Sequence, residues 1–287
     1  MIIYTDLYNR TKNYSIPSDI KKNIESKYGI TITTKINPKA EVYWGDKLTD
    51  NHLLEMPKIR WIHLSKTGFG KFNLPPHITV TNTPESSEGV AEYTVAGILY
   101  LLRGIDRMTL DRSSFDQHIN NIIPFNEVKC LIVGHGRIGK SVNKLLSALN
   151  MDVGFVTRTV NPQLDYSKYN FIINALPLTN ETKDYFDGKI FGRMNKNSYI
   201  INVGRGETMN EHHLYEAVKS GQIRGAFLDV VQNEPLKPNN KLLTLDNIFI
   251  SPHIANALEN SLDTQIKTFT DNLIKYQNKQ PLNNIIK

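Results

Sequence analysis

The chain of 287 residues has a single cysteine, Cys130, so no disulfide can close within it. Cys130 lies in an apolar run, which fits a packing residue in a reducing compartment. Long hydrophobic runs are missing too. The longest, Tyr93 to Leu102, stops at Arg103 and is too short to cross a bilayer, so no membrane partner is expected. Basic clusters are equally scarce: the net charge is +6, yet Lys21-Lys22 is the only adjacent basic pair. That spread reads as a solvated surface that favours small anions, with no nucleic-acid partner expected. No group of His, Cys, Asp and Glu has zinc-like spacing, so no metal is expected, and there is no repeat or low-complexity tract. The first residues, Met1 to Asp6, read as a strand without the basic opening of a signal peptide, and the expected location is cytoplasmic.

What is present is an alternation of short strands and helices. Met1–Thr5, Ile30–Thr34, Glu41–Trp44, Arg60–Leu64 and Ile78–Thr81 are short and rich in β-branched or aromatic residues, which predicts strands. Ser18–Tyr28 and Ser86–Arg103 carry apolar residues at helical spacing. A second alternation starts at Glu127. It predicts strands over Cys130–Val133, Asp152–Val156, Phe171–Asn174, Tyr199–Val203, Gly225–Val230 and Ile248–Ile250. Between and after them it predicts helices over Ile138–Leu149, Glu181–Met194, Glu211–Ser220 and Ala257–Tyr276. The expected fold is α/β, with two Rossmann-like, doubly wound parallel-sheet domains and a cleft between them. Residues 1–103 with 257–287 form one expected domain, and residues 104–256 the other. Polar Asp106–Asn121 reads as a boundary or as an arm towards another subunit.

Cys130 to Val133 runs directly into Gly134-His135-Gly136-Arg137-Ile138-Gly139, a glycine turn between strand and helix. In a dinucleotide site Gly134 permits the tight turn, Gly136 lets the backbone approach a pyrophosphate, and Gly139 lets helix and strand pack closely. Arg137 and Ile138 open the helix, whose free N–H groups and dipole suit phosphate. The same segment also matches a triphosphatase pattern through Gly134, Gly139, Lys140 and Ser141, with Asp229 as the residue that could hold magnesium. That account leaves Gly136 unexplained.

The second strand of this half ends in Thr157-Arg158-Thr159, with no carboxylate for a ribose 2′-hydroxyl. An arginine between two hydroxyls suits a 2′-phosphate, so NADP is favoured over NAD, with NAD still open.

Three more segments each follow a predicted strand: Val203-Gly204-Arg205-Gly206, then Leu228-Asp229-Val230 continuing to Glu234-Pro235, then Ser251-Pro252-His253-Ile254. With the glycine turn and Leu176-Pro177-Leu178-Thr179, these resemble the D-isomer-specific 2-hydroxyacid dehydrogenase family, and the likeness is to NADP-preferring glyoxylate and hydroxypyruvate reductases. The resemblance implies hydride transfer between NADP(H) and a small anionic 2-keto or D-2-hydroxy acid. It implies that Arg205 binds the substrate carboxylate and carbonyl, that His253 is the general acid and base, and that Glu234 is the acidic partner that orients it. Asp229 would help hold the nicotinamide end. Leu176, Pro177, Thr182 and Val203 would be further cofactor contacts. Lys66, Thr67 and Gly68 resemble the loop that meets the substrate carboxylate. The resemblance also implies a homodimer. The rival from another class is a non-catalytic, nucleotide-sensing interaction protein on the same fold, which would have no need of a proton donor.

Overall fold

The β-branched and aromatic runs at the start of the chain fold as the strands of one sheet. In chain order the elements are β1 (Ile2–Thr5), then β2 (Tyr8–Asn9) and β3 (Tyr14–Ser15), which pair as a separate antiparallel sheet, α1 (Ser18–Tyr28), β4 (Thr31–Thr33) and β5 (Val42–Gly45). Then come α2 (Asp50–Glu55), β6 (Trp61–Leu64) and β7 (Thr79–Asn82). The main sheet has the order β4-β1-β5-β6-β7, every pair parallel. All residues of β5 and β6 are buried, as expected of a parallel strand covered on both faces. Gly29 ends α1 in the left-handed conformation, φ 61°, which costs glycine nothing.

The structure is a computed structural model that describes residues 1–9, 14–45, 47–65, 74–83, 86–105, 122–156, 164–257 and 261–287. It divides into two units, Met1–Ser86 with Ala257–Lys287, and Ser87–Asn256. In the first unit the last helix, Ser261–Gln277, returns to the sheet: its Phe269 stacks on Trp44 at 3.9 Å and on Trp61 at 5.3 Å.

The second unit contains α3 (Ser86–Leu102, opening at the boundary), β8 (Lys129–Val133), α4 (Arg137–Ala148), β9 (Asp152–Val156) and β10 (Phe171–Asn174). It continues with α5 (Gly188–Phe191), β11 (Tyr199–Asn202), α6 (Glu211–Lys219), β12 (Gly225–Leu228) and β13 (Ile248–Ile250), and the C-terminal helix is α7. The sheet is parallel throughout, in the order β13-β12-β11-β10-β8-β9. Alternate side chains serve opposite faces. Leu131, Val133, Ile172 and Ile200 join one core, whereas Cys130, Ile132, Ile173 and Ile201 join another under α3 and α4. Each fully buried Ile or Leu here contributes roughly 2 kcal/mol by removal from water.

One sequence expectation needs revision, and two features of the structure were not read from the sequence. The compact units divide at Ser86/Ser87, at the start of α3. The cause is packing: Val90, Ala91, Val95, Ile98, Leu101 and Leu102 of α3 bury in the core that holds Cys130 and Ile132. Residues 181–194 are helical only over Gly188–Phe191, because the backbone N–H of Asp184 and Phe186 donates to Glu207 and Thr208 instead of to a helix. Finally, α2 was not anticipated. It is started by a capping box in which Thr49 accepts from the His52 N–H and His52 accepts from the Thr49 N–H.

Strand order reverses at β8, whose neighbours are β9 and β10. Ligands of open parallel sheets bind at such a switch point, beyond the carboxyl ends of the strands. Gly134, Ala175, Val203, Asp229 and Ser251 each stand immediately past the end of one of these strands.

Candidate active site

The glycine turn can be tested for fit to a dinucleotide. Gly134 has φ 115°, and a Cβ there would lie 2.7 Å from the Ala175 carbonyl oxygen, so only glycine serves. At Gly139 a Cβ would lie 2.1 Å from the Gly134 oxygen, which forces helix and turn together. Gly136 is the opposite case: a Cβ there meets nothing within 4 Å. It is also the N-cap of α4 with no side chain capping the helix. An uncapped helix start with open space at Gly136 fits a pyrophosphate. Thr157, Arg158 and Thr159 lie outside the described residues, as do Lys66, Thr67 and Gly68.

Leu176, Thr182 and Val203 are buried to 1%, 0% and 4% exposure, so their side chains shape the loops from behind. The Thr182 hydroxyl is used within its own turn, donating to the Pro177 carbonyl at 2.6 Å and accepting from the Thr179 N–H at 2.7 Å.

Arg205 follows β11 in extended conformation, φ −137°. Its Nη1 donates to the Gly204 carbonyl at 2.7 Å. A buried polar chain holds its backbone. Asn174 Nδ2 donates to Asn202 Oδ1 at 2.9 Å and to Thr208 Oγ1 at 2.6 Å, and Thr208 in turn donates to the Arg205 carbonyl at 2.6 Å. Sequence reasoning missed these three residues. The available signal was an asparagine ending each of two adjacent strands, which the register places side by side, Asn174 opposite Asn202.

His253 Nδ1 lies 2.7 Å from Glu234 Oε2. Both side chains are about one-third exposed, at 37% and 34%. Glu234 is fixed by its own turn, since its Oε1 accepts the Val231 N–H at 3.3 Å. With Nδ1 engaged by the carboxylate, Nε2 is the nitrogen left for another acceptor. Arg205, Val231, Glu234, Lys237 and His253 line one concavity of about 690 Å³. Lys237 is a cation that sequence reasoning did not single out. A separate hollow of about 590 Å³ beside Met1 and Tyr276 in the first unit contains none of the anticipated site residues.

Asp229 is buried at 3% exposure. Its Oδ1 accepts from Ser251 Oγ at 2.7 Å, from the Ile254 N–H at 2.7 Å and from the Ala255 N–H at 3.1 Å. Oδ2 shares the Ala255 N–H, also at 3.1 Å. A carboxylate so fully occupied is poorly placed to hold magnesium, which disfavours the triphosphatase reading. Thr94 is likewise occupied, its hydroxyl donating to the Val90 carbonyl at 2.7 Å.

Elsewhere, burial pushes the Cys130 thiol up to about 12, which suits a packing role. His63, fully buried, is pushed down to about 3 by desolvation and bonds through Nδ1 to Thr81 Oγ1 at 2.7 Å. Among the described residues, no group of three His, Cys, Asp or Glu could hold a metal ion, and no helix is long and apolar enough to cross a membrane.

Comparison with known proteins places the chain in a family. Residues 95–255 match the family model of the D-isomer specific 2-hydroxyacid dehydrogenase, NAD binding domain. The chain is 30% identical over 255 residues to a glyoxylate reductase of Thermofilum pendens, covering 80% of this chain and 75% of that protein. It is 27% identical over 302 residues to a glyoxylate/hydroxypyruvate reductase B of an Enterobacter species, covering 92% and 93%. Among solved structures, the D-isomer specific 2-hydroxyacid dehydrogenase from Xanthobacter autotrophicus Py2, in complex with NADPH and MES, shares the fold. Its TM-score is 0.81 at 20% identity, over 100% of this chain and 98% of that one. The chain therefore belongs to the D-isomer specific 2-hydroxyacid dehydrogenase family, an oxidoreductase whose second unit carries the NAD binding domain.

Proposed function

We propose that the protein reduces a small 2-keto acid to the corresponding D-2-hydroxy acid with NADPH, and that it runs the reverse reaction when concentrations favour it. The observation that carries this reading is the shared concavity of Arg205 and the Glu234–His253 pair. Glyoxylate and hydroxypyruvate, named for the relatives, are the first candidate substrates.

The residues divide the work by their chemistry. The guanidinium of Arg205 is a planar donor fork that can hold the carboxylate and polarise the keto oxygen. His253 Nε2 gives a proton to that oxygen as the carbonyl bond breaks, and the ring ends neutral, with Nδ1–H still on Glu234. Glu234 keeps the ring in one tautomer and orientation. When bound, the reduced nicotinamide supplies the hydride that adds to the carbonyl carbon. The first turn of α4 and Gly136 would receive the pyrophosphate.

The finer parts of the reading rest on sequence. Thr157, Arg158 and Thr159 form the proposed 2′-phosphate clamp, Lys66, Thr67 and Gly68 the proposed carboxylate-binding loop, and the first unit is the proposed substrate domain. A cytoplasmic homodimer completes the reading, supported by the family likeness and the lone, buried Cys130.

Mixing the protein with NADPH and a panel of 2-keto acids, and following the loss of reduced-nicotinamide absorbance, tests the reaction. Oxidation with glyoxylate or hydroxypyruvate is expected, faster than with NADH. Absence of oxidation with every keto acid, while NADPH binds, rejects the catalytic reading.

A further inference from the structure

The segment that carries the guanidinium is bracketed by one buried amide. Asn202, which ends β11, accepts the Gly204 N–H on Oδ1 at 3.2 Å and donates from Nδ2 to the Arg205 carbonyl at 3.4 Å. The Arg205 side chain refers to the same segment, since its Nη1 donates to the Gly204 carbonyl. Holding the Asn202 amide therefore holds both ends of Gly204-Arg205, and with them the anchor of the guanidinium.

What holds Asn202 is Asn174, which ends the neighbouring strand β10. The bonds of Asn174 have one consistent direction. The Leu176 N–H can only donate, so Asn174 meets it with Oδ1, at 3.1 Å. Nδ2 is thereby turned to Asn202 Oδ1 at 2.9 Å and to Thr208 Oγ1 at 2.6 Å. Because Thr208 Oγ1 accepts there, its own proton goes to the Arg205 carbonyl, at 2.6 Å. Asn174, Asn202 and Thr208 are at most 1% exposed, so these bonds lie out of reach of bulk water.

The other arm of Asn174 reaches the loop after β10, where Leu176 and Pro177 are proposed cofactor contacts. Packing joins the two loops independently of the amides. A Cβ on Gly204 would lie 2.7 Å from the Leu176 carbonyl oxygen, so only glycine lets the chain that leads into Arg205 come this close.

We propose that Asn174 and Thr208 are positioning residues for Arg205: the Asn174 amide fixes that of Asn202, and with Thr208 they clamp the Gly204-Arg205 segment to the loop after β10. The substrate-binding cation is thereby set at a fixed place relative to a loop of the cofactor site. This deepens the proposed reduction and rests on that reading only for its kinetic readout.

Two deletions and one rescue test the clamp. Asn174→Ala removes the central amide, and Thr208→Val removes one hydroxyl at nearly constant shape. Thr208→Ser restores the hydroxyl. Amide hydrogen exchange is read at Leu176 and Gly204, relative to Ile200 and Ile201 within β11. Both deletions should speed exchange of the Gly204 N–H about fivefold, the loss of one such hydrogen bond, although neither replaced side chain bonds to it. Asn174→Ala should do the same at Leu176, and Thr208→Ser should stay close to the parent. With an active keto acid, Thr208→Val should raise the KM for that acid about tenfold while the KM for NADPH stays within about twofold. Gly204 exchange at the parental rate in both deletions overturns the clamp, as does a parental keto-acid KM in Thr208→Val. Should Asn174→Ala fail to fold, Thr208→Val decides by the same Gly204 readout. If the parent reduces no keto acid and yet Gly204 responds, the clamp stands and the proposed reaction falls.

Discussion

The Nδ1 of His253 and the Oε2 of Glu234 stand 2.7 Å apart at the mouth of the concavity that Arg205 also lines. Glu234 is itself tied to the Val231 N–H, so the carboxylate orients the ring and not the reverse. Replacing it should misplace His253, the proposed proton donor, without disturbing the glycine turn. For Glu234→Gln we expect kcat to fall by about 10- to 100-fold, with NADPH affinity unchanged. Steady-state kinetics beside a fluorescence titration of NADPH checks this. A Glu234→Gln enzyme with parental kcat removes Glu234 from the machinery.

Arg205→Lys keeps the charge but loses the donor fork. A loss of about 10- to 100-fold in kcat/KM for the keto acid is expected, with the far-ultraviolet circular dichroism spectrum unchanged. Lysine working as well as arginine shows that charge alone is used there.

The glycine turn predicts two opposite phenotypes. In Gly136→Ala the added methyl enters open space, so thermal stability should hold while NADPH affinity drops about tenfold or more. In Gly139→Ala the methyl meets the Gly134 carbonyl, and unfolding should become easier by about 1–3 kcal/mol. Thermal melts and cofactor titrations on both variants separate the two. Gly136→Ala binding NADPH normally excludes a pyrophosphate at this turn.

His63 makes the first unit sensitive to acid. Burial holds its folded-state pKa near 3, against 6.5 in the unfolded chain. The unfolded state takes up the proton first, so the contribution is complete above pH 6.5 and is lost as pH falls toward 3. The full slope is about 1.4 kcal/mol per pH unit. Both tryptophans, Trp44 and Trp61, belong to this unit, so their fluorescence in urea at pH 7 and pH 5 reports the change directly. His63→Gln should flatten the dependence. An equal acid loss in that variant assigns the effect to other groups.

Much of this architecture was readable before the coordinates. Short runs such as Phe171–Asn174 and Tyr199–Asn202 are nearly all β-branched or aromatic and are flanked by turn residues, so their place as buried parallel strands follows from composition. The glycine turn was legible because Gly134 and Gly139 are sterically required, while Gly136 leaves open space at the start of α4. The helix expected over 181–194 was not sound. Periodicity cannot show that Asp184 and Phe186 find acceptors in Glu207 and Thr208. The polar chain Asn174–Asn202–Thr208 was hidden for a related reason, since it exists only once β10 and β11 are in register. Asp229 was noticed, but its grip on two backbone N–H groups depends on how the Ser251–Ala255 loop turns, which no residue pattern encodes.

The stacking of Phe269 on Trp44 and Trp61 has a consequence for biosynthesis. The N-terminal sheet leaves the ribosome first but receives its aromatic lid last, after the whole nucleotide-binding half has been made. Until then two indoles that end up at 0% exposure have no cover on that side. The half made later can therefore close its cores while the half made earlier still waits, so order of synthesis and order of completion are reversed.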